Sequence, residues 1–127
     1  MPKSLILCID DEALGLQIRK AVLERAGYRV ITAMDGPTGL SFFAQENIDA
    51  VVLDYAMPSM SGADVAKEMR RIRKDVPILL LSAYVNLPPD VMGIVDLTIL
   101  KGDGPETLLA KVREMLAEEP NTTAGGK

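Results

Sequence analysis

Continuous apolar runs alternate with segments of helical periodicity along this chain, and the runs end on charged or hydroxyl residues. Asp10, Asp54, Ser82 and Lys101 each end such a run; Ser82, for example, follows the run Ile78–Leu81. Strands without polar alternation are typical of a parallel sheet that helices cover on both faces. Right-handed crossovers place the carboxyl ends of parallel strands at one edge of the sheet. The pattern therefore predicts an α/β fold, a doubly wound five-stranded parallel sheet whose polar strand ends converge.

The alternation divides the chain into ten predicted elements, which suit one domain for a chain of 127 residues. We expect strands at about 4–9, 28–33, 50–53, 78–81 and 97–100. We expect helices at about 13–26 and 106–117, two more opened by Asp35-Gly36-Pro37 and by Ser61, and a short one after Pro88. Gly27 is the predicted left-handed stop of the first helix. The domain is expected to cover 1–118, with 119–127 a disordered tail or the start of a linker.

Apolar residues at helical spacing predict which side of each helix packs on the sheet. The expected inward sets are Leu14, Ile18, Ala21 and Val22, broadened by Leu16 and Leu23, in the first helix; Leu40, Phe43 and Ala44 in the second; Val65, Met69 and Ile72 in the third; and Leu108, Leu109, Val112, Met115 and Leu116 in the last. A basic stripe on the third helix is interpreted as a solvated outer face rather than a docking patch; it comprises Lys67, Arg70, Arg71 and Lys74.

Composition excludes several classes of site. The formal net charge of −4 argues against direct nucleic-acid binding by this domain. The chain has no histidine, which excludes a histidine-containing zinc site and a Ser-His triad within it. Cys8, the single cysteine, lies inside an apolar run and is predicted to be a buried, inert thiol. No apolar run is long enough to span a membrane and the N-terminus does not resemble a signal peptide, so the cytoplasm is the expected compartment.

The acidic strand ends predict a metal site. Asp10 and Asp11, together with Asp54 from another strand, offer hard oxygen ligands that suit Mg²⁺. Without the ion, three close carboxylates repel one another, so at least one of them should have a raised pKa. Taken alone, Asp10-Asp11-Glu12 has a second explanation, since acidic residues favour a helix N-terminus. Asp54 alone has one as well, because aspartate often begins a turn.

Considered together, these residues resemble the receiver domain of two-component response regulators, over about residues 4–118. The matching segments are Leu7-Cys8-Ile9-Asp10-Asp11-Glu12, Gly27-Tyr28-Arg29-Val30, Val52-Leu53-Asp54-Tyr55-Ala56-Met57-Pro58, Gly62, Pro77-Ile78-Leu79-Leu80-Leu81-Ser82-Ala83 and Lys101. The resemblance implies a flavodoxin-like fold with strand order 2-1-3-4-5. It also implies a phosphorylation-dependent signalling switch.

The resemblance assigns roles position by position. Asp54 would be the phosphoacceptor, a carboxylate nucleophile toward a partner's phosphohistidine. Asp11, Asp54 and the backbone carbonyl of Ala56 would bind Mg²⁺ directly, and Asp10 would act largely through water. Lys101 would neutralise charge on the transferring oxygens, and the Ser82 hydroxyl would bind a phosphoryl oxygen afterwards. The implied partners are a histidine kinase or phosphotransfer protein and a downstream protein or output domain, with a homodimer left open.

Two positions depart from the family pattern. Gly102 stands where a proline commonly follows the lysine, and a cis bond without proline costs about 2.5–4 kcal/mol, so we expect a trans bond and a rebuilt loop. Thr98 stands where the family usually has its switch aromatic. Tyr84 could substitute for that ring or shield the phosphoryl group. The readout of phosphorylation is therefore open.

Three alternatives compete with a phosphorylation switch. A phosphorylation-independent scaffold fits the departures at Thr98 and Gly102. An aspartate-nucleophile phosphatase resembles Asp-x-Asp at its nucleophile, but here the residue two after Asp54 is Ala56, which has no proton to give. A flavodoxin-like cofactor binder would present hydroxyls and glycines to a phosphate, which Asp10-Asp11-Glu12 would instead repel. We therefore expect a phosphoryl acceptor with at most slow self-dephosphorylation, not an enzyme.

Overall fold

The computed structural model describes residues 3–117. The elements in chain order are β1 (Leu5–Ile9), α1 (Ala13–Arg25), β2 (Arg29–Ala33), α2 (Gly36–Gln45), β3 (Ala50–Asp54), α3 (Gly62–Ile72), β4 (Ile78–Ser82), α4 (Pro89–Met92), β5 (Leu97–Leu100) and α5 (Pro105–Met115). All strand pairs are parallel and the sheet order is β2-β1-β3-β4-β5. The predicted doubly wound fold and its strand order are confirmed.

Helices cover both faces of the sheet, and since successive residues of each strand point to opposite sides, both sets of side chains are buried. On one face, Leu53 and Leu80 pack with Phe43 of α2 and Met69 of α3. On the other face lie Cys8, Val52 and Leu79, against Leu16 and Leu23 of α1 and Leu108 and Val112 of α5. Burial raises the pKa of the Cys8 thiol to about 12, so this cysteine is inert as predicted.

The predicted inward face of α1 is wrong for Leu14, Ile18 and Ala21, which are exposed, and confirmed for Leu16, Val22 and Leu23, which are buried or packed against the core. Leu14 and Ile18 are 75% and 55% exposed, whereas Leu16 and Leu23 are buried. The inner face follows positions 16, 19 and 23, where Leu16 and Leu23 are buried and Arg19 turns inward to pair with Asp10 after β1. An apolar pattern alone could not select that face, since apolar residues lie on both sides of this helix.

Two smaller assignments in α2 and α3 are also wrong. Ala44 is exposed beside buried Phe43, whose ring fills the contact with the sheet. Ile72 is 44% exposed because it is the last residue of α3 and lies beyond the buried turn that contains Met69. In α5, Leu108 and Val112 are buried and the other three apolar residues are partly buried, so its predicted stripe is confirmed.

The interpretation of the α3 basic stripe as wholly solvated is wrong for Arg70. Its guanidinium donates to the carbonyls of Ile94 and Val76, at 2.9 and 2.6 Å. It also pairs at 2.6 Å with Asp96, which accepts from the backbone N–H of Ile78 at 2.8 Å. Arg70 therefore fixes the start of β4 against the loop before β5. Lys67, Arg71 and Lys74 are exposed as predicted.

The predicted helix ends are confirmed where the structure describes them. Asp35 and Ser61 accept from the backbone N–H groups of Thr38 and Asp64, which caps α2 and α3. Gly27 has a φ of 103°, the left-handed conformation that ends α1. The predicted tail at 119–127 lies outside the described residues. Among residues 3–117, no helix combines the length and apolar character needed to cross a bilayer.

Candidate functional site

The polar strand ends meet at one edge of the sheet. Asp10 directly follows β1, Asp54 is the last residue of β3, Ser82 is the last of β4 and Lys101 directly follows β5. The strand register keeps these ends level, since Asp54 pairs with Leu81, the residue before Ser82. Ligand atoms of Asp10, Asp11 and Asp54 lie within 4.8 Å of one another. The carboxylates therefore converge as the sequence predicts.

Asp54 is an exceptional carboxylate in this fold. It is 1% exposed, and its ion pair with Lys101 joins Nζ to Oδ1 at 3.0 Å. Apart from that ion pair, neither Asp54 oxygen has a hydrogen-bond partner among the described residues. Burial raises the pKa of Asp54 to about 6, with Asp10 adding to the rise and Lys101 opposing it. A buried carboxylate with unsatisfied oxygens is poised to bind a cation or to react.

Asp10 is better satisfied than Asp54. It is fully buried, and its Oδ1 accepts from the backbone N–H of Glu12 at 2.9 Å. Its Oδ2 forms an ion pair with the guanidinium of Arg19 and lies 4.0 Å from the Lys101 ammonium. Asp11 is partly buried beside this pair. Asp10 therefore has an ion pair and a backbone hydrogen bond to compensate its charge, whereas Asp54 has the ion pair with Lys101 alone among the described contacts.

Lys101 supplies a positive charge to the centre of the edge. Its Nζ lies 3.0 Å from Asp54, 3.8 Å from Glu12 and 4.0 Å from Asp10. Burial alone would lower the pKa of Lys101, but these carboxylates outweigh that effect and raise it. The ammonium is therefore fully charged at neutral pH and partly compensates the negative charge of the clustered carboxylates.

The loop after Lys101 is rebuilt around an aspartate, not a proline. No peptide bond among the described residues is cis, so the bond from Lys101 to Gly102 is trans as expected. Asp103 accepts from the N–H of Leu100 at 3.1 Å and its own N–H donates to the Leu100 carbonyl at 3.0 Å. The N–H of Lys101 donates to the Ser82 carbonyl at 2.9 Å. Asp103 was not singled out by the sequence analysis, although an aspartate two residues after the lysine is a turn signal.

Ser82 is buried at the end of β4, and its hydroxyl is used by the turn that follows. The Ser82 hydroxyl accepts from the N–H of Tyr84 at 2.8 Å and donates to the Tyr84 carbonyl at 3.1 Å. The Tyr84 residue is 61% exposed. Thr98 is partly buried on β5. A hydroxyl bound in this way has to leave its own turn before it can bind another oxygen.

Gly62 fixes the loop that follows Asp54. A Cβ at this position would lie 2.4 Å from the Asp54 carbonyl oxygen and 2.8 Å from the Cα of Tyr55. The Gly62 N–H also donates to the Tyr55 carbonyl at 2.7 Å. Only glycine permits this close approach of α3 to the end of β3. The loop that carries Ala56, exposed and adjacent to the carboxylates, is thereby held against Asp54.

Arg19 is the site residue that the sequence analysis missed most clearly. Its side chain is 16% exposed and reaches from α1 to Asp10. A signal was present, because Arg19 lies on the same helical face as Leu16 and Leu23, three and four residues away. A charged residue on a buried face requires a partner, and the carboxylates provide it.

The donor set fits a hard divalent ion. Clustered carboxylates and backbone carbonyls are oxygen ligands of the type that Mg²⁺ prefers. Among the described residues, Lys101 is the partner of Asp54 Oδ1, and Oδ2 has no hydrogen-bond partner, so a buried oxygen remains available to a metal ion. The chemistry of the site therefore agrees with a magnesium ion held between β1 and β3.

Comparison with known proteins identifies what this arrangement resembles. Residues 6–113 match the family model of the response regulator receiver domain. A probable transcriptional regulator ycf27 of Porphyridium aerugineum is 40% identical over 119 residues, which cover 91% of this chain and 49% of that protein. The alkaline phosphatase synthesis transcriptional regulatory protein SphR of Synechococcus elongatus is 35% identical over 135 residues, covering 97% of this chain and 52% of that protein. The chain spans about half the length of these curated relatives.

Solved structures give the same result. The response regulator protein TrrA of Thermotoga maritima, solved in complex with Mg²⁺-BeF, superimposes with a TM-score of 0.83 at 36% identity. That alignment covers 89% of this chain and 99% of TrrA. The chemotaxis protein CheY4 of Vibrio cholerae gives a TM-score of 0.83 at 29% identity, covering 91% of this chain and all of CheY4.

Proposed function

Because this chain belongs to the response regulator receiver domain family, whose members are phosphorylation switches of two-component signalling, we propose that Asp54 is its phosphoacceptor. The observation that carries the proposal is the state of Asp54 itself. Its carboxylate is buried and lies at the convergence of the strand ends, and within residues 3–117 its partner is the Lys101 ammonium, with no other hydrogen bond. With a pKa of about 6, it is mostly ionised at neutral pH and so is a competent nucleophile.

The proposed metal site consists of Asp11, Asp54 and the backbone carbonyl of Ala56, with Asp10 acting largely through water. When bound, Mg²⁺ would neutralise charge on the phosphoryl oxygens. Convergence of the three carboxylates within 4.8 Å supports this assignment, as does the Mg²⁺-BeF complex of the similar TrrA. Gly62 keeps the Ala56 loop beside Asp54, so that a side-chain and a backbone oxygen can share one ion.

In the proposed transfer, an oxygen of Asp54 attacks the phosphorus of a phosphohistidine and displaces the imidazole nitrogen. The new O–P bond forms as the N–P bond breaks, and the donor histidine leaves with its electron pair. Lys101, 3.0 Å from Asp54, holds positive charge beside the transferred oxygens. Ser82 would bind one of those oxygens after its hydroxyl gives up the two hydrogen bonds that it makes to the backbone of Tyr84.

The donor histidine has to lie outside these 127 residues, which contain none. A histidine kinase or a phosphotransfer protein would supply it. The curated relatives are named as transcriptional regulators and are about twice as long, which supports a downstream output through another domain or protein. We further propose that residues 1–118 form the receiver unit and that it works in the cytoplasm. We expect this unit to bind neither nucleic acid nor membrane itself, and homodimerisation stays an open prediction.

A phosphorylation-independent scaffold is the second candidate. The engagement of Ser82 by its own turn favours it, as does Thr98 in the place of the switch aromatic. An aspartate-nucleophile phosphatase is disfavoured because Ala56 cannot protonate a leaving group. The relatives described above are named as regulators and not as enzymes.

Beryllofluoride, which mimics an aspartyl phosphate, separates the two candidates. We expect Mg²⁺ with beryllofluoride to stabilise the wild-type protein thermally and to shift amide NMR signals around Asp54, Ser82 and Lys101. Asp54→Asn should abolish both effects, whereas Asp75→Asn, which changes an exposed carboxylate after α3, should retain them. Equal responses of wild type and Asp54→Asn, or no response in either, would favour the scaffold.

A further inference from the structure

Arg19 and Asp10 form an internal ion pair that the proposed transfer does not use. The Arg19 side chain is 16% exposed and the Asp10 side chain 1% exposed, so both charges are largely removed from water. An arginine buried in this way is tolerated only when its charge is compensated, and here the compensation is one of the clustered carboxylates.

The local sequence of α1 makes room for this pair. A Cβ at Gly15 would lie 3.3 Å from Nη2 of Arg19, so a larger residue there would press on the guanidinium. Glycine inside a helix lowers helix stability, and here the missing side chain leaves the space in which the guanidinium lies. Gly15 and Arg19 also line a cavity of about 320 Å³ that extends to Lys101 and Leu108. The cavity offers space beside Asp10 that the guanidinium could occupy.

Arg19 changes the charge of the acidic edge. The three clustered carboxylates face two cations, Lys101 and Arg19, which leaves one net negative charge without a metal ion. If Arg19 were neutral, two negative charges would remain. A divalent ion is attracted less strongly to the site as it stands, and the water through which Asp10 would hold it has to compete with the guanidinium for Asp10 Oδ2.

We propose that Arg19 is a built-in counter-cation for Asp10, which competes with Mg²⁺ and so sets the magnesium concentration that the site requires. This inference rests on the proposed magnesium site. Arg19 acts through Asp10 and is therefore a positioning residue rather than a catalytic one. Mg²⁺ binding is coupled to a swing of the guanidinium into the adjoining cavity, and the metal-free site stays ordered because Asp10 is never left uncompensated.

The test is a Mg²⁺ titration of the ¹⁵N-labelled protein followed by NMR. Arg19→Met keeps the length of the side chain but removes its charge, and it should bind Mg²⁺ at least about fivefold more tightly than wild type. Arg25→Met is the matched control, because Arg25 is an exposed arginine in the last turn of the same helix. Its affinity for Mg²⁺ should equal that of wild type, which separates the local effect from a change in net charge.

A second readout needs no variant that could fail to fold. The Nε–Hε signal of Arg19 in the wild-type protein should shift on adding Mg²⁺, with the same midpoint as the amide signals of Asp10 and Asp54. Equal affinities of wild type and Arg19→Met, or a stationary Arg19 signal while the amide signals titrate, would overturn this inference and leave the magnesium site intact. Absence of Mg²⁺ binding in both proteins would overturn the magnesium site as well.

Discussion

Lys101 reaches across the end of β4 to place its ammonium 3.0 Å from the carboxylate of Asp54 on β3. The two residues lie two strands apart, so this contact joins the edge of the sheet to its centre. It is the shortest ion pair that Lys101 makes with the acidic residues around it. Any negative charge added to Asp54 would therefore act on the Lys101 ammonium, and through it on the end of β5 and the following turn, in which Asp103 hydrogen-bonds Leu100.

Removal of the Lys101 ammonium should slow phosphorylation of Asp54 without unfolding the domain. We expect Lys101→Ala to lower the phosphorylation rate by about 100-fold, the cost typical of losing one preorganised donor to a developing oxyanion. The rate is measured by intact mass with acetyl phosphate. Lys67→Ala, at an exposed lysine of α3, is the control and should react like wild type. Equal rates for Lys101→Ala and wild type would remove Lys101 from the mechanism.

The stability of the metal-free protein should fall as pH rises through the acidic range. Burial raises the folded-state pKa of Asp54 from 3.8 to about 6, so between these values the folded protein binds more protons than the unfolded chain. Ionisation of Asp54 therefore lowers the free energy of unfolding in that window, by up to about 3 kcal/mol, and this contribution is fully present above pH 6.

Denaturant unfolding in the presence of a chelator, repeated from pH 4 to pH 7, checks this pH dependence. Asp54→Asn, which cannot ionise, should lose most of the slope and be more stable than wild type at pH 7. If the stability of Asp54→Asn changes with pH as steeply as that of wild type, a group other than Asp54 is responsible for the pH dependence.

Magnesium should stabilise the folded protein, because an ion that binds only the folded state shifts the unfolding equilibrium. At a concentration ten times the dissociation constant, the gain is about 1.4 kcal/mol, which raises the melting temperature of a domain of this size by a few degrees. Asp11→Asn should remove the shift by taking away a proposed ligand. An unchanged shift in Asp11→Asn would exclude Asp11 from the site.

Gly62→Ala should damage both stability and phosphorylation. The added Cβ would lie 2.4 Å from the Asp54 carbonyl oxygen, so β3 and α3 have to separate. We expect a loss of about 1–3 kcal/mol in the free energy of unfolding, as for other overpacked sites, and a slower reaction at Asp54. Gly102→Ala meets no atom within 4 Å and should stay close to wild type in stability. Similar losses in both variants would show that the close approach is unimportant.

The sheet and its functional edge could be predicted from sequence because the signals are local. Each strand is an apolar run, and Asp10, Asp54, Ser82 and Lys101 terminate such runs, so parallel topology brings them together. The inner face of α1 could not be predicted in the same way. The buried side carries Leu16 and Leu23 together with Arg19, whose partner Asp10 lies after β1, and sequence periodicity does not report a partner in another element.

Two further features depended on tertiary contacts. In the sequence, Arg70 belongs to a basic stripe that is expected to face solvent. In the folded chain its guanidinium instead contacts the carbonyls of Ile94 and Val76 and the carboxylate of Asp96. The state of Ser82 is similar, since a buried strand-end serine does not reveal that Tyr84 already uses its hydroxyl. In both cases a side chain has several possible hydrogen-bond partners, and which of them it binds depends on the tertiary structure.

The most direct test of the central claim is the intact mass of the protein after incubation with Mg²⁺ and acetyl phosphate, or with a phosphorylated histidine kinase where the small donor fails. We predict one phosphoryl adduct on the wild-type chain, labile to hydroxylamine as an acyl phosphate should be, and none on Asp54→Ala. An adduct that persists on Asp54→Ala, or no adduct on the wild-type chain from either donor, would contradict the assignment of Asp54 as the phosphoacceptor.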